Sequence, residues 1–167
     1  MTTTTLNGNQ ILLVPYRADD RSEFVKLVTD DEVMKFVDGT LSDDFANTLF
    51  DSFIGAKAGN EDDVWAIRSI PDLTYLGHAA LVKDKSGDVE ILFYVCKEHW
   101  RKGIALEAGV LMRNYALIGG RYGSVFATID WNHVGSRRVV EKLGFKNEGL
   151  QKDEDGVDFH LFRLSSL

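Results

Sequence analysis

Apolar positions along this chain switch repeatedly between a spacing of two and a spacing of three to four, and the switches outline strands alternating with helices. Gln10 to Val14 reads as a first strand ended by Pro15. Asp19-Asp20-Arg21-Ser22-Glu23 then supplies acidic first-turn residues ahead of the stripe Phe24, Leu27 and Val28, which predicts a helix to about Thr29. Val33 to Val37 is expected to be a short helix. A further helix opens at Ser42 as N-cap, with Phe45, Leu49, Phe53 and Ala56 about one turn apart. From Val64 the period shortens: Val64 to Ile70, Leu73 to Val82 and Val89 to Val95 are strand candidates. The breaks at Pro71-Asp72 and Lys83 to Asp88 have turn chemistry, and their short lengths favour an antiparallel meander.

Ile104, Ala108, Leu111, Tyr115 and Ile118 restore helical spacing, and Gly119-Gly120 stops that helix. Ser124 to Ile129 is a strand, Val134 to Leu143 a helix ended by Gly144, and Phe145 enters another strand. Phe159 to Leu164 closes the series after the acidic turn Asp153-Glu154-Asp155-Gly156. A strand, crossover helix and strand imply one parallel pairing inside a sheet that is otherwise a meander. The expected fold class is therefore mixed α/β, a predominantly antiparallel sheet with flanking helices. With no internal repeat and no Gly-, Pro- or Ser-rich linker, residues 10–167 are expected to form a single domain behind a polar, Thr-rich tail at 1–9.

At 167 residues the chain is long enough for a substantial core, and its 44% apolar and 27% charged content is that of a globular protein. No apolar run approaches the length needed to cross a bilayer, and Met1 to Asn9 has neither the basic nor the apolar region of a signal peptide. These features predict a cytoplasmic protein without membrane association. One cysteine, Cys96, excludes an internal disulfide and a cysteine-based zinc cluster. The histidines His78, His99, His133 and His160 lack metal-ligand spacing, so no metal is expected. A formal charge of −7 argues against a nucleic-acid backbone as ligand and suits a cationic amine.

The densest candidate chemistry lies at His99-Trp100-Arg101-Lys102-Gly103-Ile104-Ala105-Leu106-Glu107-Ala108. Here an apolar strand passes through a short basic turn into an amphipathic helix. The first N–H groups of a helix lack internal partners and carry the positive end of its dipole, so an anion such as pyrophosphate can bind there. Gly103 would let such a ligand approach the backbone closely. The Gly-x-Gly-x-x-Gly spacing and repeated βαβ units of a dinucleotide-binding oxidoreductase are missing.

The order of elements, Glu90-Ile91-Leu92-Phe93-Tyr94-Val95 leading into Trp100 to Ala108, and the later Ser136-Arg137-Arg138-Val139-Val140-Glu141-Lys142-Leu143-Gly144-Phe145 together resemble the GNAT superfamily of acetyl-CoA-dependent N-acetyltransferases. Within it, the chain looks most like the branch of ribosomal-protein alanine and serine N-terminal acetyltransferases. The resemblance spans nearly the whole chain and implies a twisted sheet of six to seven strands, split at a central parallel pair whose gap admits the pantetheine arm of acetyl-CoA. Carried over by position, the backbone of Phe93, Tyr94 and Val95 would pair with pantetheine, and the N–H groups of Arg101, Lys102, Gly103, Ile104 and Ala105 would hold pyrophosphate. Two positions depart from the family's pattern. Arg101 stands where the branch frequently has Gly, and His133 stands where the family often has Asn.

The same resemblance implies catalytic roles. A Glu at the place of Glu90 is thought to deprotonate the amine, and a hydroxyl at the place of Ser136 to protonate the thiolate or orient the cofactor, with His133 beside it as a cofactor contact. Each has a plainer alternative: Glu90 turned to solvent at a strand end, Ser136 satisfying helix-start donors, His133 on the surface. The implied activity is direct acetyl transfer in a ternary complex, with a protein N-terminal α-amine or a small-molecule amine as acceptor and Cys96 dispensable. A non-catalytic acyl-CoA-binding or sensing module of the same fold is the competing reading. The resemblance leaves a homodimer open.

Overall fold

The computed structural model describes residues 4–37, 39–54 and 62–166. Among these residues eight strands form one sheet: β1 (Leu6–Asn7), β2 (Ile11–Val14), β3 (Asp63–Ser69), β4 (Tyr75–Lys83), β5 (Val89–Val95), β6 (Ser124–Ile129), β7 (Lys146–Lys152) and β8 (Asp158–Ser165). Their order across the sheet is β1-β2-β3-β4-β5-β6-β8-β7, and β5–β6 is the parallel pair among antiparallel neighbours. Among the described residues four α-helices accompany them: α1 (Arg21–Val28), α2 (Asp43–Ile54), α3 (Ile104–Leu117) and α4 (Val134–Lys142). The mixed, mainly antiparallel architecture is as expected; the strand number is eight rather than six to seven.

Alternation along the strands sorts the apolar residues into two cores, one on each face of the sheet. Val89, Ile91 and Val95 of β5 join Ile104, Ala108 and Met112 of α3 and Val140 of α4 in one. Leu92, Tyr94 and Cys96 pack against the other, built with Phe24 and Leu27 of α1 and Ala46 and Phe50 of α2. Helices α1 and α2 thus cover one face, and α3 and α4 the opposite one.

Three local expectations change. Residues 31–37 form hydrogen-bonded turns rather than a helix, with Met34 N–H reaching Asp30 C=O at 3.0 Å and Val37 N–H reaching Met34 C=O at 3.0 Å. Helix α2 is capped by Ser42 as expected, its hydroxyl accepting the Phe45 N–H at 3.2 Å, but its buried face is turned by one residue. Ala46 and Phe50 are buried while Phe45 is exposed, because the rings of Phe50 and Phe53 pack on Tyr16; Ala56 lies outside the described residues. Leu6 and Asn7, within the stretch read as a tail, pair with Leu13 and Leu12, and the Trp65 indole donates to Thr4 C=O at 2.8 Å.

Beneath α1 and α2 lies an aromatic cluster around His78, which is fully enclosed. Its Nδ1 meets Tyr16 Oη at 3.0 Å, which in turn meets Tyr75 Oη at 2.8 Å. Burial pulls the His78 pKa down to about 3, so the ring is neutral. Nearby, the buried Asp20 carboxylate pairs with Arg68 and accepts the Arg17 N–H at 2.9 Å. Removing one partner of a buried pair strands the other, so Asp20→Ala is expected to cost about 3 kcal/mol. In a thermal melt that appears as a Tm lower by roughly 6–12 °C.

Candidate active site

The parallel ladder between β5 and β6 is short. Val89 pairs with Val125 and Glu90 with Phe126, and there the register ends, although β5 runs on to Val95 and β6 to Ile129. The two strands therefore fork, and the fork opens toward their C-terminal ends. Phe93 to Val95 lie along its β5 arm.

Glu90 stands at the base of the fork. By alternation it shares the face of Leu92 and Tyr94, toward α1 and α2. It is half-buried rather than turned out to solvent, and its Oε1 accepts the Thr128 hydroxyl at 2.6 Å, across the gap from β6. Burial pushes the Glu90 carboxyl above the usual carboxylate range, Asp84 adds to this, and hydrogen bonds from the Thr128 hydroxyl and backbone N–H oppose it. Thr128 is exposed on the same face, so this carboxyl is reachable from that side.

Along the β5 arm, the Tyr94 ring is parallel to His78, with centroids 5.8 Å apart. The Val95 carbonyl accepts the Trp100 indole N–H at 2.7 Å. That bond ties the following turn to the end of β5, a role sequence motifs alone do not disclose. Cys96 comes next. Its thiol is half-buried and burial pushes its pKa up to about 11, which removes the thiolate a nucleophile needs.

The basic turn carries two residues with positive φ, Arg101 (60°) and Gly103 (77°), before α3 begins at Ile104. No acceptor among the described residues takes the N–H groups of Arg101, Lys102, Gly103, Ile104 or Ala105, and Gly103 caps α3 with no side chain. Five successive free donors at a helix N-terminus suit a pyrophosphate, so this segment fits the cofactor its motif implies. The side chains contribute less: Lys102 Nζ donates to Glu98 C=O at 3.1 Å, turned back on its own loop. Glu107, in the first turn of α3, would oppose an anion, but its carboxylate is held by the N–H groups of Asn9 and Gln10, the latter at 3.0 Å. Gln10 Nε2 also reaches Lys102 C=O at 3.4 Å, so the β1–β2 turn braces this loop.

On the β6 side, His133 precedes α4 and Ser136 lies in its first turn. The two are brought together: His133 Nε2 is 3.2 Å from Ser136 Oγ. Ser136 thus answers to an imidazole rather than to helix-start donors. Burial pulls the His133 pKa below the ordinary imidazole value, with Asp130 pulling upward, so the ring is neutral at pH 7. Glu90 has no hydrogen bond to this pair: its carboxyl is bonded to Thr128 within β6, whereas His133 and Ser136 lie beyond the end of that strand at Ile129. Base and rim of the fork are therefore occupied by different groups. Arg137 lies over the face of Trp131, 3.9 Å from the ring centre. Among the described residues, no group of three His, Cys, Asp or Glu side chains is placed to hold a metal, and no helix is long and apolar enough to cross a membrane.

A family model described as an acetyltransferase (GNAT) domain matches residues 10–146, most of the chain. The chain belongs to the GNAT acetyltransferase family. An uncharacterized N-acetyltransferase of Bacillus subtilis (strain 168), YjdG, is 32% identical over 96 residues, 58% of this chain and 51% of that protein. The chain spans about half the length of the curated relatives it matches. A GNAT-family acetyltransferase from Bacillus anthracis superposes with a TM-score of 0.83 at 20% identity, covering 97% of this chain and 98% of the other. RimL, a ribosomal alpha-N-protein acetyltransferase solved in complex with coenzyme A, superposes with a TM-score of 0.82 at 11% identity, covering 98% of each chain. At the level of fold, the GNAT neighbours thus include the ribosomal-protein branch that the sequence motifs resemble, and the family's members use acetyl-CoA.

Proposed function

We propose that this GNAT chain transfers an acetyl group from acetyl-CoA to a primary amine, a protein N-terminal α-amine or a small-molecule amine, by direct attack in a ternary complex. The observation that carries the reading is the fork: a half-buried carboxyl at its base, unpaired helix N–H groups beside one arm, and a hydroxyl–imidazole pair beyond the other. Acetyl-CoA, when bound, supplies the activated carbonyl and a thiolate leaving group. The chain's own residues supply the rest.

Helix α3 packs on the face opposite to that of Glu90, so the phosphates and the amine approach from different sides of the sheet. That separation suits simultaneous binding of both substrates. Glu90, with its raised pKa, takes the proton from the incoming ammonium. The Ser136 hydroxyl gives a proton to the departing sulfur while its oxygen accepts the His133 Nε2–H, which sets the imidazole tautomer the acid role requires. Forming the amide removes two protons from the ammonium. Glu90 takes the first before attack and passes it to solvent; the second, on the nitrogen of the tetrahedral adduct, replaces the one Ser136 gives to sulfur. The C–N bond forms, the C–S bond breaks, and the products are amide, thiol and one proton.

Calorimetric titration with acetyl-CoA, followed by thiol release against a panel of N-terminal peptides and small amines, tests this. Binding with amine-dependent release is expected; binding with no release from any amine would favour the sensing module instead. The Cys96→Ala variant is expected to keep kcat within about twofold of the parent, since the thiol stays protonated at neutral pH. A loss of turnover in a folded, cofactor-binding Cys96→Ala protein would contradict direct transfer.

A further inference from the structure

The turn that joins α1 to α2 is fastened on both sides of the fork. Its base is fixed by Asp30, which accepts the N–H groups of Glu32 at 2.9 Å and Val33 at 3.1 Å, and by Val33 and Met34, which are buried in the α1/α2 core. Toward β5, Lys97 reaches Asp30 at 3.3 Å and Glu32 at 3.7 Å. Toward β6, Phe36 lies against the His133 imidazole, with ring centroids 4.8 Å apart and planes 21° from parallel. Residues 30–37 thus run as a strap from one side of the open end to the other.

His133 therefore has a phenyl ring on its face and Ser136 at its Nε2 edge. An imidazole on an unpacked loop rotates broadly about its outer torsion. Stacking on a flat ring confines it to that plane, and the hydroxyl then selects which nitrogen faces α4. We propose that Phe36 is a positioning residue, holding the His133 imidazole with Nε2 toward Ser136 and so fixing the hydrogen-bond partner that orients the serine hydroxyl. The inference rests on the reading of Ser136 as the proton donor to sulfur, and it adds a residue from the acceptor-side turn to that machinery. An aliphatic side chain at 36 fills similar volume but offers no flat face.

The charged groups around His133 come from each neighbouring element. Asp130 on its own loop favours the imidazolium. On the strap, Lys35 Nζ lies 5.3 Å from the Phe36 ring centre, and on α4 Arg137 is engaged by Trp131. Burial lowers the His133 pKa, and the Phe36 ring stacked on the imidazole is part of what covers it. Removing that cover is expected to weaken the burial that opposes Asp130.

The test compares Phe36→Leu with Phe36→Tyr in the full chain, following His133 by NMR of histidine labelled with carbon-13 and assigned with His133→Gln. In the parent, the imidazole carbon-bound protons are expected upfield from the phenyl ring current, with a titration midpoint below the ordinary imidazole value. In Phe36→Leu the ring-current shift should vanish and the midpoint rise, and Phe36→Tyr should restore both. Misplacement of a proton donor costs roughly ten- to a hundredfold in kcat, whereas acetyl-CoA affinity by calorimetry should stay within about twofold. A His133 titration identical in Phe36→Leu and parent overturns the proposal whatever the activity. So does a normal kcat in Phe36→Leu. Absence of turnover in the parent with every amine would instead sink the transferase reading, and the proton positions of His133 would still decide whether Phe36 orients it.

Discussion

Replacing Glu90 with Gln is expected to lower kcat by roughly two to four orders of magnitude, the ordinary contribution of a positioned general base, while acetyl-CoA still binds. Gln keeps an oxygen for the Thr128 hydroxyl that donates to Oε1 at 2.6 Å, so the local hydrogen bond survives and the proton acceptor alone is lost. The pH profile separates this from misfolding. Burial raises the Glu90 pKa, so in the parent the rate climbs as pH rises through that raised value, and the limb should disappear in Glu90→Gln. Linkage gives an independent sign. A carboxyl whose folded pKa exceeds its unfolded value binds more protons in the native state, so stability falls as pH rises between the two values. Glu90→Gln removes that loss, and the variant should melt no lower than the parent at neutral pH. A folded variant with the parent's kcat and an unchanged acidic limb would remove Glu90 from the mechanism.

The strand carrying that carboxyl was the most legible part of the chain. Val89–Val95 and Ser124–Ile129 coincide with the strands expected from the sequence, and α3 begins one residue after the glycine that marks its cap. Dense β-branched and aromatic residues, bounded by Gly and charged turns, leave little freedom in such segments. The helix donors and the parallel pairing follow from local order and spacing in the same stretch, whereas the fork between the two strands was implied only by the family resemblance.

What escaped the pattern depends on residues distant in sequence. Thr128 meets Glu90 from 38 positions away, and nothing in the local spacing of β6 announces that contact. Phe36 reaches His133 across 97 positions, and its own segment reads as a short helix until Lys97 and the Asp30 cap hold it as turns. The rotation of the α2 face has a similar origin: Phe45, Leu49 and Phe53 have helical spacing, yet Tyr16, Phe24 and His78 decide which rings fit beneath them. Arg101 illustrates the reverse case. It departs from a position where the resembled branch frequently has Gly, and the backbone there does adopt a positive φ of 60°, the conformation Gly takes without strain.

The largest structural effect is expected at Gly77, near the start of β4. A Cβ built there would lie 2.1 Å from the Tyr94 carbonyl oxygen, 3.0 Å from Val95 Cα and 3.1 Å from the Tyr94 carbonyl carbon. All three are backbone atoms of β5, whose Val95 is the residue paired with Gly77, so no side-chain rotation can relieve the clash. Gly77→Ala must therefore push β5 away from β4 at the arm of the fork. The expected cost is at least about 4 kcal/mol, in the range reserved for strain and gross overpacking. Gly109→Ala supplies the comparison. Its Cβ would meet Leu143 Cδ1 at 2.5 Å, but that is the end of a flexible side chain, and Ala favours the helix by about 1 kcal/mol over Gly. The two variants add the same methyl group to buried positions, yet denaturant melts should show Gly109→Ala folded with a midpoint near the parent's and Gly77→Ala strongly destabilised or unfolded. Equal midpoints for the two would mean that β5 does not pass Gly77 at this distance, and the placement of Phe93 to Val95 along the fork would fail with it.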